Sequence, residues 1–203
     1  MSDDRVLLET IRSYDITARE YADRFADADL RAERQRFVSL IPPGDWPVLD
    51  AGCGPGRDCE SLRHCGLRMV GADISAGLLK IAAQRTKAEL VRCDLRSLPF
   101  AGQSFRGVWS CASLVHLTYQ GAGQAVREFS RVLIPHGALY LSVRHGTGQE
   151  WREDSWGGRR WFQLYQKTAL EGIVTSSGFS IIESEVAAGA VGGQWVNIFA
   201  RKA

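Results

Sequence analysis

From residue 16 to 41 the apolar residues Tyr21, Ala22, Phe25, Phe37, Val38 and Ile41 keep near-helical spacing until Pro42-Pro43 cannot continue it. This pattern predicts a helical N-terminal segment. Beyond it, short apolar runs alternate with helix-period segments, giving strand 48–51, helix 57–65, strand 69–72, helix 76–85 and strand 89–92. Such alternation implies parallel βαβ units.

A strand at 108–112 follows, then a helix over 124–133 with Val126, Phe129 and Leu133 on one face, and a strand at 138–143. Pro135-His136-Gly137 marks the turn between the last two. After a Gly- and Trp-rich stretch, 146–162, a helix over 168–177 ends at Gly178 and strands follow at 180–186 and 196–200. The linker 187–194 is too short for a crossover helix, because parallel neighbours need a dozen or more connecting residues. The last strand should therefore run antiparallel in an otherwise parallel sheet.

Length and charge narrow the picture. At 203 residues, 45% of them hydrophobic and 24% charged, the chain suits one domain with a full core. The formal charge is +2 and no block of like charges occurs, so composition gives no reason to expect a nucleic acid, an anionic membrane or an acidic partner. No apolar run approaches the roughly 20 residues of a membrane span, and the first residues lack a basic start and an apolar signal core. A cytoplasmic location is the expectation.

The five cysteines (Cys53, Cys59, Cys65, Cys93, Cys111) form no CxxC pair and read as reduced, mostly buried thiols. Cys59, His64 and Cys65 lack a second ligand pair, so helical packing of Cys59, Leu62 and Cys65 is preferred to a metal site.

The strongest chemical signal is VLDAGCGPGRD at 48–58, a buried strand, then Gly52, Gly54 and Gly56, then a helix. Glycines there let the backbone turn tightly and approach a ligand, with helix-start N–H groups nearby. Asp73 ends the next strand, 17 residues beyond Gly56, where a carboxylate can accept bonds from both ribose hydroxyls of an adenosyl cofactor. Asp94 ends the third strand at the same sheet edge, beside any adenine. A nicotinamide fingerprint would want G-x-x-G spacing, and no Tyr-x-x-x-Lys pair occurs. Arg57-Asp58 after Gly56 excludes a P-loop.

These residues resemble the class I S-adenosylmethionine-dependent methyltransferases, particularly small bacterial members that methylate metabolites, over about residues 14 to 202. The resemblance implies a Rossmann-like α/β fold: a mostly parallel seven-stranded sheet with an antiparallel last strand, helices on both faces and an N-terminal helical lid. It divides a single domain, 1–203, into lid 1–43, cofactor-binding core 44–145, substrate-lid loop 146–162 and a C-terminal helix and strand pair, 163–203. It implies S-adenosylmethionine as cofactor, S-adenosylhomocysteine as product and no metal.

By the same likeness Asp50, Gly52, Cys53, Gly54 and Gly56 form the loop around the methionine part. Asp73 with Ile74 takes the ribose, Asp94 and Leu95 face the adenine, and Ser110 passes the methionine end. His136 stands where the family's R-x-L-x-P-G-G-x-L segment has its first glycine, which should alter a turn rather than the active site.

Because a sulfonium already activates the methyl, the enzyme needs mainly to align a nucleophile and exclude water. His116, just past the fourth strand, is the best-placed base, against the alternative of a packing histidine. Cys111 lacks the preceding proline of the cytosine-5 methylating enzymes and reads as a core thiol. The N/D-P-P-Y/F sequence of exocyclic-amine methylation is missing as well.

Acceptor recognition falls to two segments. Tyr14 and Tyr21 are similar to the family's lid helix, and 144–162 offers Arg144, Trp151, Trp156 and Trp161, interleaved with Glu150, Glu153 and Asp154. The tryptophans suggest an aromatic and acidic cup for a cationic or planar molecule, while Arg144 equally suits a carboxylate. The expected activity is methyl transfer to N or O of a small-molecule metabolite by a monomer or homodimer. A tRNA or protein methyltransferase and a non-catalytic cofactor-binding regulator stand as rivals.

Overall fold

The computed structural model describes residues 3–190 and 192–203. The N-terminal segment is three helices rather than one: α1 (Asp3–Ile16), α2 (Ala18–Arg24) and α3 (Arg31–Leu40). The first begins well before the expected start, because Val6, Leu7, Thr10, Ile11 and Ser13 bury one face of a segment whose other positions are largely charged. Its end at Thr17 and the turn after Phe25 let the chain fold back over the sheet edge.

The strands β1 (Val48–Ala51), β2 (Met69–Asp73), β3 (Glu89–Arg92), β4 (Phe105–Cys111), β5 (Leu133–Arg144), β8 (Phe179–Ala188) and β9 (Gln194–Lys202) form one seven-stranded sheet. Between them run α4 (Arg57–His64), α5 (Ala76–Arg85), α6 (Tyr119–Val132) and α7 (Lys167–Ser176). The spatial order is β3-β2-β1-β4-β5-β9-β8. Only β9 is reversed, lying antiparallel between β5 and β8, as the short linker required. The order turns around at β1, flanked by β2 and β4, and at such a switch point the strand ends open a crevice for ligands.

Both faces of the sheet are covered, and alternation along each strand decides which side a residue supports. Leu49, Val108 and Leu139 pack with α6 and α7 residues such as Phe129 and Val174. Their neighbours Val48, Trp109 and Tyr140 pack on the other face with Phe37, Cys59 and Leu62. Trp109 stacks on Tyr140 with ring centroids 4.0 Å apart. Each fully buried large side chain contributes roughly 1.5–3 kcal/mol, so strands buried on both faces hold the ligand-facing loops on a stiff base.

Two local expectations change. Residues 146–162 do not form a loop: β6 (Gln149–Glu153) and β7 (Arg159–Gln163) pair antiparallel as a separate hairpin. Its turn is organised by Asp154, whose Oδ1 accepts from the N–H groups of Trp156 (3.0 Å) and Gly158 (2.7 Å). Cys65, expected to pack beside Cys59 and Leu62, is exposed just past the end of α4. Among the described residues no helix is long and apolar enough to cross a membrane, and no group of His, Cys, Asp or Glu is arranged to hold a metal.

Candidate functional site

The loop from β1 to α4 works because its glycines do different things. Gly52 (φ +85°) touches the segment after β4 so closely that a Cβ would lie 2.2 Å from Ser113 Cβ. Gly54 (φ +52°) has open space where its Cβ would stand, and that space is cavity. Gly56 (φ +79°) caps α4 and abuts Ala82 and Thr86 of the α5 end, so it serves helix packing and does not line the cavity. Cys53 is buried and lines the cavity beside Gly54.

Asp73 at the end of β2 braces this loop. Its Oδ2 accepts from Gly54 N–H (2.8 Å) and its Oδ1 from Ser75 N–H (2.9 Å), leaving each oxygen a further acceptor direction. Burial pushes its carboxyl pKa upward, opposed by those backbone bonds.

The cavity has two lobes that share Tyr14, Tyr21, Gly52, Gly54, Cys111 and His116. The smaller, about 100 Å³, runs along the strand ends past Asp73, Ile74, Asp94 and Leu95. Arg96 clamps Asp94, its Nη2 donating to Oδ2 at 2.7 Å. The roof is α1, through Leu7, Ile11 and Tyr14. Asp15 Oδ1 ties that helix down by accepting from Ser75 Oγ (2.6 Å) and Gly77 N–H (2.8 Å).

The larger lobe, about 250 Å³, starts at Asp50 and Arg57 and ends under the hairpin and the β8–β9 turn. Asp50 is buried with Oδ2 lacking any hydrogen-bond partner. Burial and the nearby Asp58 charge push its pKa up to about 8. Asp58, in the first turn of α4, is saturated: Arg34 Nη1 (2.9 Å), Arg57 Nη2 (2.8 Å) and Trp109 Nε1 (3.2 Å) all donate to it. Arg57 also donates to Phe25 O at 3.2 Å, joining the glycine loop to α2.

His116 sits where the lobes meet. Its Nδ1–H donates to Trp161 O at 2.7 Å, so Nε2 carries the lone pair and accepts from Tyr14 Oη–H at 2.8 Å. Burial lowers the imidazole pKa to about 4. The ring is therefore neutral at neutral pH and reaches the cavity behind Tyr14. Tyr14 packs edge-on against Tyr21, with centroids 5.0 Å apart, and the Arg160 guanidinium lies over both rings at 5.0 and 5.4 Å.

The aromatic cup does not form. In the hairpin, Trp151 pairs with Trp161 on one face, while Glu150, Arg152, Arg160 and Phe162 occupy the other. Arg152, Arg160 and Phe162 line the larger lobe. Trp161 is buried against α1, its N–H donating to Thr10 Oγ1 at 3.2 Å, and Trp151 lies under the Arg159 guanidinium at 4.5 Å. Trp156 lies in the hairpin turn. Ser110 is buried on Ser113 Oγ at 2.5 Å rather than lining either lobe. Arg144 does line the larger lobe.

The sequence reading missed Arg57, Arg152, Arg160, Trp195 and Asn197 as lining residues. No local pattern marked them, since neither QEWRE at 149–153 nor RRWFQ at 159–163 alternates apolar and polar positions.

Residues 48–137 match a family described as a methyltransferase domain. The chain is 33% identical over 167 residues to the putative methyltransferase ECU09_1500 of Encephalitozoon cuniculi, across 73% of this chain and 77% of that one. It is 33% identical over 135 residues to methyltransferase GfsG of Streptomyces halstedii, across 62% of this chain but only 48% of that longer protein. Among solved structures, the 1,6-didemethyltoxoflavin-N1-methyltransferase of Burkholderia thailandensis, with bound 1,6-didemethyltoxoflavin and S-adenosylhomocysteine, aligns with a TM-score of 0.79 at 19% identity. That alignment covers 100% of this chain and 91% of the other, and it shows a shared fold.

Proposed function

Because the chain belongs to the class I S-adenosylmethionine-dependent methyltransferases, we propose that it moves a methyl group from S-adenosylmethionine to a nitrogen or oxygen of a small-molecule metabolite, releasing S-adenosylhomocysteine. The residues fit the cofactor. Gly54 leaves room for a close ligand, Asp73 keeps acceptor capacity beside the smaller lobe, and the orphaned Asp50 Oδ2 offers a partner to a cationic amino group. When bound, the cofactor supplies a methyl already activated on a sulfonium. Everything else falls to the chain.

In this reading Asp73, with Ile74 beside it, would hold the ribose hydroxyls, and Asp94 and Leu95 would line the adenine end of the smaller lobe. Asp50 balances the amino group near the glycine loop. Tyr14 and His116 orient the acceptor: the Tyr14 proton is committed to Nε2 and the phenol is held beside the Arg160 guanidinium, so the pair presents a fixed polar edge to the acceptor. An imidazole with a pKa of about 4 does not store a proton at neutral pH, so this pair aims the nucleophile and passes charge only as the methyl moves. The roof of α1, α2 and hairpin keeps water out.

The observation that carries the small-molecule reading is the larger lobe itself, a partly open space of about 250 Å³ bordered by lid helices, hairpin and β8–β9 turn. It suits a metabolite better than a polymer that would need an open groove. The test is methyl-labelled S-adenosylmethionine incubated with the protein and separated pools of metabolites, RNA and protein. Label in the metabolites is expected. Label in nuclease- or protease-sensitive material would replace the reading with a tRNA or protein methyltransferase, and none at all despite cofactor binding would favour a regulator.

A further inference from the structure

Three arginines line the larger lobe: Arg144 at the end of β5, Arg152 from the hairpin, and Arg160, also from the hairpin, which lies over the Tyr14 and Tyr21 rings where the lobes meet. Two of them have carboxylate partners. Arg152 pairs with Glu150, and Arg160 with Asp154 at 2.5 Å. The Arg144 guanidinium has neither hydrogen bond nor ion pair among the described residues.

Its surroundings are the wrong sign. Burial, and then the like charge of Arg152, lower the Arg144 pKa, only partly offset by Glu150. A half-buried guanidinium beside a second one is unfavourable unless something anionic joins them. Yet the backbone makes a seat for it. A Cβ on Gly193 (φ +75°) would lie 2.7 Å from Arg144 Nη2, so the guanidinium rests directly against the backbone of the β8–β9 turn and would shift if that residue carried a side chain.

Other unspent donors gather nearby. Arg160 is buried, and its Nε has no partner. Asn197 Oδ1 is committed to the Tyr140 (3.1 Å) and Ser142 (2.8 Å) hydroxyls, which fixes the amide and leaves its NH₂ without a partner. Phe162 and Trp195 supply flat apolar walls. Asp50, Asp58 and Glu33 line the same lobe.

We propose that Arg144, supported by Arg152 and the Asn197 amide, docks a carboxylate or phosphate carried by the methyl acceptor, so the acceptor is an anionic molecule with a planar apolar body. Calling the bound molecule an acceptor rests on the methyltransferase reading; the anion seat does not. A guanidinium fork matches two oxygens of such a group at once, which fixes the orientation of the rest of the molecule toward Tyr14.

The experiment titrates the full chain with benzoate, phenyl phosphate and benzamide, with and without saturating S-adenosylhomocysteine, and reads binding by calorimetry or ligand-observed NMR. One of the two anions should bind at least tenfold tighter than benzamide, and the preference should shrink as salt rises. The better anion identifies carboxylate or phosphate as the natural group. Arg144→Gln should erase the preference and Arg144→Lys should restore part of it.

Equal binding of benzamide and both anions by the wild-type chain overturns the proposal, and that comparison stands even if a variant folds poorly. Failure of S-adenosylhomocysteine to bind, with the anion preference intact, would remove the methyltransferase reading and keep the seat. Tight S-adenosylhomocysteine binding with no anion preference would do the reverse.

Discussion

The two lobes of the cavity are built on opposite plans. Around the smaller one, acids at strand ends are braced by the chain itself: Asp73 by two backbone N–H groups, Asp94 by Arg96. Around the larger one, basic side chains reach in from β5 and the hairpin, and one of them is left without a counter-charge. The first plan fixes recognition in backbone geometry, which tolerates little change and suits a constant ligand. The second places it on side chains of the hairpin and β5, where one substitution alters what is bound without disturbing the sheet.

The sharpest way to separate the lobes is Asp73→Ala. The charge-assisted bonds to Gly54 in the loop and to Ser75 at the start of α5, and those expected to the ribose, are lost together, so S-adenosylhomocysteine affinity should fall on the order of 100-fold by calorimetry. Benzoate binding at Arg144 should survive. Loss of both would show that the glycine loop supports the two lobes jointly, and an unchanged cofactor affinity would strike Asp73 from the site.

Asp50 gives the next largest effect, and it is read in protons. Its carboxyl, held at about 8 in the free protein, carries a proton at pH 7 that a cationic amino group should expel. Cofactor binding should therefore release up to one proton, visible as a buffer-dependent enthalpy, and tighten toward tenfold per pH unit below pH 8. The sign for stability is the reverse: a carboxyl that holds its proton more tightly when folded stabilises the free protein at low pH. That contribution is complete below about pH 4, the ordinary carboxyl value, and is lost as pH rises through about 8. Asp50→Asn should flatten both dependences; a persistent buffer effect would assign the proton elsewhere.

The smallest effect should leave both lobes untouched. His136 sits exposed at φ +61° in the irregular pairing at the start of β5, a left-handed conformation that costs an L-residue roughly 1–2 kcal/mol. His136→Gly should raise thermal stability by about 1 kcal/mol after the added chain entropy of glycine, with ligand affinities constant. A shift in either affinity would connect that turn to the cavity.

Much of the sheet was legible in the sequence because its central strands are buried on both faces and read as mostly apolar runs, such as Met69–Ala72. The loop length before the last strand was enough to foresee its reversal. Asp73 was legible because it follows such a run directly, whereas Asp94 follows the half-exposed β3 and was placed by its position at the next strand end; the smaller lobe borders both.

The acceptor end resisted reading. Its hairpin is half exposed, and the three tryptophans drew attention to a face that packs on α1 and Arg159 rather than on the cavity. Asn197 and Trp195 come from the last strand and reach the site only through β9 lying beside β5. No local pattern carries that. His116 was found by position, but its engagement by Tyr14 spans about 100 residues of chain and could be seen only in the fold.

The first helix is fastened along its C-terminal half to two different elements. Asp15 holds it to the start of α5, while Ser13 Oγ and Thr10 Oγ1 accept from the N–H groups of Arg159 (2.8 Å) and Trp161 (3.2 Å) in the hairpin. It therefore acts as a shared door bar: lifting it to free the nucleoside also unseats the strand that bears Arg160 and Phe162. In the proposed cycle, departure of the spent donor and arrival of the next substrate would both require this helix to lift, against its bonds to α5, to His116 and to the hairpin.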